Sequence, residues 1–476
     1  MKHALDTDRT ERRRQPFLGR IRRVHMVGIG GIGMSSIAEV LLSRGYAVTG
    51  SDMKKSEITE HLETLGATIY EGHEATQVEG ADVVVYSSAV HPAGNPETQE
   101  AERLRIPMIS RAVMLGELMR MKFGIGIAGT HGKTTTTTLA GLVVAEAGFD
   151  PTIIVGGKVA SFGSNAVAGE GDIIVIEADE YDRTFLRLTP SLAVITNIDA
   201  DHLDIYEDLA DIQNAFVTYA NSVPFFGAAI LCLDDSHVQE IIGRIDRRIV
   251  TYGTARQADI RAENARQEGL ENRFEVFRGK ERLGEVVIKA PGQHNIQNAL
   301  AAIAVGVELD IPFDRIREGL ARFTGVQRRF QVLGEAQGIL VVDDYAHHPT
   351  EVRATLRAAS AGWPDRRIVA VFQPHLYSRT RDCKDDFARA FFDADVLVLT
   401  EIFGARESPI PGVDGQSVAD LAAEYGHRDV HFEPDLEALI ERLHGIVRKG
   451  DVVITMGAGN IWRYGRRLLE ALQQAS

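Results

Sequence analysis

Lys133 and its neighbours form the stretch of this sequence best suited to chemistry on phosphate. Residues 125–138 read IGIAGTHGKTTTTT: a short apolar run, a turn containing Gly129 and Gly132, and then five threonines. Glycines let backbone N–H groups approach phosphate oxygens, the lysine supplies a positive charge, and the hydroxyl of Thr134 can bind Mg²⁺. Five consecutive β-branched residues are poor helix formers, and this local conflict indicates a functional first turn.

The loop departs from the usual P-loop, because that pattern asks for a glycine at position 127 and the chain has isoleucine there. The alternative interpretation is a Gly/Thr-rich turn between a strand and a helix that carries one surface lysine. The order of strand, loop and helix favours phosphate binding.

Carboxylates follow a second apolar run. Residues 172–177 (DIIVIE) predict a buried strand with Glu177 at its exit, followed by Asp179 and Glu180. A carboxylate at the end of a strand beside a P-loop is where nucleoside triphosphatases hold Mg²⁺. We therefore predict Glu177 as a metal ligand and expect Glu180 to be a solvated acidic side chain. A further strand, residues 192–196, leads into the polar cluster 197–204, in which His202 is either a ligand or a hydrogen-bonded core histidine.

A second glycine-rich turn lies nearer the N-terminus. A predicted strand ends in Gly28-x-Gly30-x-x-Gly33, a helix follows over residues 35–42, and a strand from residue 47 ends at Asp52. This arrangement is typical of dinucleotide binding and by itself indicates NAD. The alternative is a tight turn that binds nothing. With the strand at residues 81–88, the alternation predicts a small doubly wound unit over residues 21–122.

The remainder continues the α/β alternation. Residues 257–289 predict antiparallel strands added at a sheet edge, and a helix begins near Asn295 and Asn298. These asparagines lie on one helix face, where they serve either as caps or as contacts to a base edge. Apolar strands at 339–342, 368–372, 396–400 and 452–456 form a third domain. Arg379 and Arg381 suit a carboxylate or phosphate, or lie at the surface. Two adjacent histidines at 347 and 348 lack a further His/Cys cluster, so zinc is not predicted.

Composition limits the classes of function. A chain of 476 residues suggests about three domains, and the net charge of −15 disfavours a nucleic-acid or anionic-membrane surface. No apolar run approaches the ~20 residues that span a bilayer. Only Cys232 and Cys383 are present, which fits a reducing compartment and predicts a cytoplasmic protein. Residues 1–20 are polar and are expected to form a flexible tail.

Six motifs in one order resemble the Mur ligase family, over about residues 22–463. They are GIGGIGMS (28–35), AGTHGKTTT (128–136), TNIDADHLD (196–204), GQHNIQNALAA (292–302), DDYAHHPTE (343–351) and FQPHLYSRTR (372–381). The resemblance implies three α/β domains: a Rossmann-like UDP-sugar domain (21–122), a central P-loop ATPase domain with extra antiparallel strands (123–327), and a Rossmann-like amino-acid domain (328–476).

The activity implied is ATP-dependent joining of L-alanine to the lactyl carboxylate of UDP-N-acetylmuramate (UDP-MurNAc) through an acyl phosphate, a step of peptidoglycan precursor synthesis. ATP and Mg²⁺, with Mn²⁺ as an alternative, are the implied cofactors. The chain is expected to be a monomer or homodimer that binds no nucleic acid and does not insert into a membrane. The rivals are a family member that attaches a whole tripeptide, an NAD-dependent oxidoreductase and a non-catalytic nucleotide-gated module.

The resemblance also implies residue roles. The UDP-sugar is assigned to Gly28, Gly30, Gly31, Gly33, Met34, Ser35, Asp52, Ser87 and Ser88. ATP is assigned to Gly129, Thr130, His131, Gly132, Lys133, Thr134, Thr135, Asn295, Asn298, Arg329 and Asp344. The metal is assigned to Thr134, Glu177 and His202, and catalysis to Lys133, Glu177, His202 and Arg329. L-Alanine is assigned to Tyr345, His347 and Arg379.

One position departs from the family pattern. Some members have arginine where Leu376 stands, so Arg381 is a second candidate for the alanine carboxylate. Because the implied substrates lie on three domains, hinge closure is predicted near residues 122–124 and 325–330.

Overall fold

The computed structural model describes residues 18–157, 165–203, 205–405 and 407–474. The chain divides into two compact units, Met1–Arg261 with Leu300–Arg322, and Ala262–Ala299 with Phe323–Ser476. Most of the predicted N-terminal tail, residues 1–17, lies outside the described residues.

The first unit begins with a five-stranded parallel sheet in the order β3-β2-β1-β4-β5. Its strands are β1 (Arg23–Val27), β2 (Ala47–Asp52), β3 (Thr68–Glu71), β4 (Val83–Tyr86) and β5 (Met108–Ser110). Its helices are α1 (Ile32–Ser43), α2 (Glu57–Thr64), α3 (Pro96–Leu104) and α4 (Arg111–Arg120), with 3₁₀ turns at Ala75–Val78 and Pro92–Gly94.

The strand order reverses between β1 and β4, and in each strand all residues but one are buried. Valines make up three of the four residues of β4 and two of the five of β1. In a parallel sheet, such a reversal opens a crevice at the carboxyl ends of the two strands. The glycine-rich turn follows β1, so the predicted doubly wound unit is confirmed together with the location of this turn.

The second sheet of the first unit contains β6 (Phe123–Ala128), β7 (Thr152–Ile154), β8 (Ala166–Val167), β9 (Ile173–Glu177), β10 (Leu192–Ile195), β11 (Ala228–Cys232) and β12 (Ile249–Gly253). Within this unit the order is β12-β11-β10-β6-β9-β7-β8, parallel except for β8. The helices are α5 (Lys133–Glu146), α6 (Leu209–Asn221) and α7 (Ser236–Ile241), with 3₁₀ turns at Tyr181–Arg187 and Ile242–Arg244. The central position of β6 places the predicted phosphate loop between the ends of β9 and β10.

In helix α5 the five threonines follow Lys133, and all five are buried. The hydroxyl of Thr138 donates to the carbonyl of Thr134 at 2.8 Å, which satisfies a polar group inside the helix. Tertiary packing thus overrides the low helix propensity of this run.

Two elements have residues in both units: β13 (Ile260–Glu268) and α8 (Gln293–Glu308). The chain returns to the first unit within α8, at Leu300, and the next helix, α9 (Phe313–Ala321), also belongs to that unit. In the second unit, β14 (Glu271–Arg278) and β15 (Glu281–Ile288) form the predicted antiparallel pair.

The second unit contains a six-stranded sheet in the order β16-β17-β21-β18-β19-β20. The strands are β16 (Gln331–Ala336), β17 (Ile339–Asp344), β18 (Ile368–Phe372), β19 (Val396–Thr400), β20 (Val430–Glu433) and β21 (Val452–Met456). The helices are α10 (Pro349–Gly362), α11 (Tyr377–Asp382), α12 (Lys384–Ala388), α13 (Gly415–Glu424), α14 (Leu439–His444) and α15 (Trp462–Gln474).

Alternate residues of these central strands belong to two separate apolar clusters. Val342 packs in a cluster with Leu356 of α10, whereas Val341 packs in a cluster with Leu468 of α15. A sheet with helices on both faces has this pattern, because successive side chains point to opposite sides. The predicted α/β class is confirmed. Among the described residues, no helix combines the length and the apolar character needed to span a bilayer.

Candidate active site

The phosphate loop joins β6 to α5 through two glycines in left-handed backbone. Gly129 has φ +132° and Gly132 has φ +81°. A Cβ at Gly129 would overlap Thr196 Oγ1 and approach the backbone nitrogens of Thr196 and Asn197 at 3.0 and 3.1 Å. Only glycine fits both the conformation and the space. Helix α5 starts at Lys133, so its free N–H groups point into the loop, as a phosphate site requires.

Lys133 is held inside this loop. Its Nζ donates to both carboxylate oxygens of Glu180, at 2.9 and 2.7 Å, and to the carbonyls of Gly129 and Thr130. Glu180 is only 2% exposed, so the expectation of a solvated side chain is wrong. The chain after β9 turns back into the protein, and the ammonium of Lys133 supplies the charge that a buried carboxylate needs.

Thr134 and Glu177 adjoin this pair. The Thr134 hydroxyl donates to Glu177 Oε1 at 3.1 Å, and the backbone N–H of Gly156 donates to Glu177 Oε2 at 2.6 Å. Burial raises the pKa of Glu177, against the opposing effect of the Gly156 N–H and Lys133. Two of the three predicted metal-binding side chains are therefore in direct contact.

The cluster carries more negative than positive charge. Burial raises the pKa of Glu180 to about 7, although Lys133 opposes this shift. Burial lowers the pKa of Lys133, but the carboxylates of Glu180, Asp179 and Glu177 outweigh burial and raise it overall. One ammonium thus faces three carboxylates, a charge balance that a divalent cation would improve.

His202 lies at the edge of the same cluster. It has φ +57°, and its Nε2 is 3.7 Å from Glu180 Oε1 and 3.8 Å from Asp201 Oδ2. Its ring also packs edge-on against Tyr181. Left-handed backbone in a non-glycine residue marks strain that recurs at functional sites.

The strand β10 holds the loop from the side. Asn197 accepts the N–H of His131 at 2.8 Å through Oδ1 and donates to the His131 carbonyl at 3.0 Å through Nδ2. The hydroxyl of Thr130 accepts the N–H of Asp199 at 2.9 Å, and His131 Nε2 lies 3.2 Å from Asp199 Oδ2. Part of the polar cluster predicted at this strand end therefore fixes the conformation of the loop.

Residues at the ends of neighbouring strands also fix the N-terminal glycine turn, as they do the phosphate loop. Gly28 (φ +80°) donates its N–H to the carbonyl of Ser51, and Gly30 donates its N–H to Asp52 Oδ2 at 2.8 Å. A Cβ at Gly28 would lie 3.0 Å from Ser87 Cβ, at the end of β4. The end of β2 thus shapes the turn from one side and the end of β4 from the other.

The other residues predicted to bind the UDP-sugar differ in burial and in position. Met34 and Ser35 are buried, and the Ser35 hydroxyl donates to the carbonyl of Ile32. Their backbone N–H groups donate to the carbonyl of Gly31, at 3.0 and 2.9 Å, so neither residue offers a free N–H to a ligand above this turn. Gly31 is the N-cap of α1, and Ser88 follows Ser87 in the turn after β4.

In the second unit, the two asparagines of α8 contact each other. Asn298 Nδ2 donates to Asn295 Oδ1 at 3.0 Å, and Asn295 Nδ2 donates to the carbonyl of Pro291 at 2.7 Å. Both side chains are buried. The predicted pair is thus brought together, with part of its hydrogen-bonding capacity used internally.

Asp344 organises the start of the second unit's sheet. It accepts the N–H groups of Phe330 at 2.6 Å and Ala346 at 2.7 Å, and burial raises its pKa to about 6 against the opposing charge of Arg329. Arg329 also donates to Glu351 Oε1 at 3.3 Å and lies over the ring of Tyr345.

Only some of the residues predicted to bind L-alanine lie close together. The backbone N–H of His347 donates to Glu351, and its ring lies 6.1 Å from the ring of His375. Arg379 Nη1 is 3.5 Å from His375 Nδ1. Arg381 is instead exposed and paired with its neighbour Asp382.

Leu376 has strained backbone in this region, with φ +70°. Its N–H donates to the carbonyl of Phe403, which holds the turn before α11.

Sequence reasoning missed a buried polar network under the N-terminal sheet. Glu97 is fully buried and lies 2.8 Å from His25 Nε2 and 2.9 Å from His73 Nδ1. It also accepts the hydroxyl of Ser51, the residue whose carbonyl binds Gly28. No local pattern signals this set, because its members come from separate elements.

Comparison with known proteins agrees with this geometry. Residues 23–123 match the Mur ligase family catalytic domain, residues 127–306 the Mur ligase middle domain, and residues 328–459 the domain described as Mur ligase, glutamate ligase domain. The chain belongs to the Mur ligase family, whose members are ATP-dependent ligases.

Similar proteins narrow the comparison from the family to one kind of ligase. A UDP-N-acetylmuramate–L-alanine ligase of Salinibacter ruber is 66% identical over 463 residues, which cover 97% of this chain and 98% of the relative. One of the same name from Geobacter sp. (strain M21) is 53% identical, with 96% and 99% covered.

Among solved structures, the UDP-N-acetylmuramate-alanine ligase of Thermotoga maritima has a TM-score of 0.78 at 30% identity, with 95% of this chain and 100% of that chain covered. A murein peptide ligase of Psychrobacter arcticus gives 0.67 at 25% identity, with 95% and 99% covered.

Proposed function

We propose that this ligase joins L-alanine to the lactyl carboxylate of UDP-MurNAc and that it uses ATP to do so. The observation that carries the chemistry is the phosphate loop, where the partly buried Lys133 is paired with Glu180 beside the Thr134–Glu177 contact. The near-full-length identity to ligases of this name supports the choice of substrates.

The reaction follows from the weakness of a carboxylate as an acceptor. If an amine attacked a carboxylate directly, the leaving group would have to be oxide. Transfer of the γ-phosphoryl group of ATP to the lactyl carboxylate gives an acyl phosphate, whose leaving group is phosphate. The neutral amine of L-alanine then attacks, and the tetrahedral intermediate collapses to the amide. No protein nucleophile is needed, so the chain contributes position and charge.

Named side chains serve these two needs. Lys133 is proposed to neutralise the transferred phosphoryl group once its ammonium exchanges Glu180 for the phosphate. The N–H groups at the start of α5 bind phosphate oxygens, and Asn197 keeps the loop in shape. Arg329 of the second unit is proposed to meet the nucleotide phosphates, and Tyr345, His347 and Arg379 are proposed to meet L-alanine.

The donor set of the loop fits Mg²⁺. A hydroxyl and carboxylates are the oxygen ligands this ion prefers, and the excess of negative charge favours a cation. Thr134 and Glu177 would hold the ion, with His202 beside them. When bound, Mg²⁺ neutralises charge on the phosphates of ATP.

The test is release of inorganic phosphate with ATP, Mg²⁺ and UDP-MurNAc, with and without L-alanine. We expect release that requires both substrates in the wild type and that falls by at least about 100-fold in Lys133→Ala, by analogy with removal of a charge from a preorganised site. Lys55→Ala, which removes an exposed lysine paired with Glu63, is the matched control and should keep full activity.

Two results would change the assignment. Turnover only with L-Ala-γ-D-Glu-diaminopimelate in place of L-alanine would identify a tripeptide-attaching ligase. Phosphate release that does not depend on UDP-MurNAc would contradict the proposal altogether.

A further inference from the structure

Helix α1 of the N-terminal sheet is in contact with strand β8 of the second sheet. The helix carries the N-terminal glycine turn at its start, and β8 is the edge strand of the sheet that holds the phosphate loop. Both elements belong to the first compact unit. Their contact therefore helps to set the distance between the two glycine-rich turns.

Asn165, which directly precedes β8, binds the first turn of α1. Its Nδ2 donates to the carbonyl of Ile32 at 2.7 Å and to Ser35 Oγ at 3.3 Å. Ile32 lies between Gly31 and Gly33 of the glycine turn. The side-chain amide of Asn165 thus holds the backbone of the turn itself.

The other end of α1 is tied to the segment that follows β8. Arg44, the C-cap of α1, donates from Nη2 to the carbonyl of Gly169 at 2.6 Å. Lys122 Nζ donates to the same carbonyl at 3.1 Å and to the carbonyl of Gly171 at 2.6 Å. Burial, together with the charge of Arg44, lowers the pKa of Lys122 to about 8. Two cations thus converge on one carbonyl, and their charge-assisted hydrogen bonds hold both ends of α1 against the β8 segment.

The same hairpin reaches the predicted metal ligand. The carbonyl of Asn165 accepts the N–H of Val155 at 3.0 Å, directly after β7, which pairs with β8. The next residue, Gly156, donates its N–H to Glu177 Oε2 at 2.6 Å. Hydrogen bonds therefore lead without interruption from Ile32 through the hairpin to Glu177.

We propose that Asn165 is a positioning residue, which fixes the glycine turn at the distance from the phosphate loop that phosphoryl transfer requires. The inference rests on the proposed function, because it takes UDP-MurNAc and ATP as the ligands of the two turns. In the transfer step, a lactyl carboxylate oxygen bonds to the γ-phosphorus while the bond to the bridging oxygen of ADP breaks. Reacting atoms must lie within about 3–3.5 Å, and a misplacement of about 1 Å can cost about 100-fold in rate. Asn165 acts on this geometry through α1 and β7.

The test measures the chemical step and the binding of each ligand separately, in the full-length protein. Single-turnover formation of ADP from ATP, at saturating UDP-MurNAc and Mg²⁺, reports transfer. Calorimetry gives the affinities for UDP-MurNAc and for a non-hydrolysable ATP analogue. Asn165→Leu keeps most of the side-chain volume but removes the donor, so it should slow ADP formation by about 10- to 100-fold and leave both affinities nearly unchanged.

Two further variants complete the comparison. Arg44→Ala releases the other end of α1 and should also slow ADP formation without weakening either ligand. Asn214→Leu makes the same chemical change at an exposed asparagine of α6, and it should react and bind like the wild type.

The outcomes separate the two proposals. ADP formation at the wild-type rate in Asn165→Leu would overturn the role of Asn165. Weaker binding of UDP-MurNAc or of both ligands, in proportion to the lost rate, would also overturn it, since a merely structural side chain would act in this way. Failure of the wild type to bind UDP-MurNAc, or formation of ADP without it, would instead overturn the proposed function.

Discussion

The contact between Lys133 and Glu180 has a consequence for stability. A buried charge left without its partner costs about 3–5 kcal/mol, because the remaining ion is desolvated and unpaired. Replacing Lys133 by methionine keeps the volume of the stem but leaves the neighbouring carboxylates without their ammonium. We therefore expect Lys133→Met to lower the free energy of unfolding by about that amount.

Removing Glu180 as well should restore part of this loss, since the double variant Lys133→Met/Glu180→Gln no longer buries the unpaired carboxylate. Urea unfolding of the wild type, both single variants and the double variant measures the coupling. Costs that simply add would contradict a direct interaction between the two side chains.

We expect the buried carboxyl of Glu97 to make the stability of the protein depend on pH. Burial acts to raise the pKa of this carboxyl, but hydrogen bonds from His25, Ser51 and His73 outweigh it and lower the pKa below 4.5. A lowered pKa in the folded state stabilises the protein above the unfolded-state value, and the stabilisation is lost as pH falls through the folded-state value. The wild type should therefore lose stability below about pH 4.5.

In Glu97→Gln we expect about 1.5–3 kcal/mol less stability at neutral pH, from the loss of hydrogen bonds to a charged group, and a shallower decline in acid. Urea midpoints between about pH 3.5 and 7 check both effects, over the range in which carboxyl groups titrate. Glu102→Gln, an exposed carboxylate on the same helix, is the control. Parallel pH curves for wild type and Glu97→Gln would contradict the expectation.

At the level of elements, the end of β10 controls the shape of the phosphate loop. Asn197 makes two hydrogen bonds to His131, one as acceptor and one as donor. Each such bond contributes about 1 kcal/mol, so Asn197→Ala should loosen the loop and raise the KM for ATP about tenfold or more. Asn197→Asp keeps the acceptor, loses the donor and adds a negative charge near the phosphates, so it should be at least as harmful.

Steady-state kinetics with ATP varied at saturating UDP-MurNAc and L-alanine measure this effect. Asn214→Ala, which removes an exposed asparagine of α6, is the control. An unchanged KM for ATP in Asn197→Ala would show that the loop keeps its shape without this brace.

The elements themselves were largely predictable because each leaves a local pattern. Strands such as Ile368–Phe372, Val396–Thr400 and Val452–Met456 are continuous apolar runs, and the structure has them at the predicted bounds. The two glycine turns follow β1 and β6 as predicted, since a positive φ demands glycine there.

The side chains that complete the sites were not predictable in this way. Glu180 comes just after β9, a position where acidic residues are usually exposed. Its burial results from the packing of the chain against Lys133, which the local sequence does not show. Glu97 and His25 are 72 residues apart, and Asn165 meets Ile32 only once β8 lies beside α1. Contacts of this kind depend on tertiary structure, which no window of one sequence contains.

For the whole molecule, the predicted closure of the chain around its substrates stays a prediction. The UDP-sugar candidates lie in the first unit, whereas Tyr345, His347 and Arg379 lie in the second. Amide formation requires the amine and the acyl carbon within about 3–3.5 Å, so the residues that bind them must come together in the reacting complex. Residues 325–330, one of the two predicted hinges, follow directly after the boundary between the units at residue 322.

We expect the radius of gyration from X-ray scattering to fall when UDP-MurNAc, Mg²⁺ and a non-hydrolysable ATP analogue are added together, and to change less with either ligand alone. The physical reason is that the ligands stabilise the closed state only when both are bound and contact each other. Lys133→Ala, with its phosphate site weakened, should contract less under the same conditions. An unchanged radius with the full set of ligands would contradict the predicted closure.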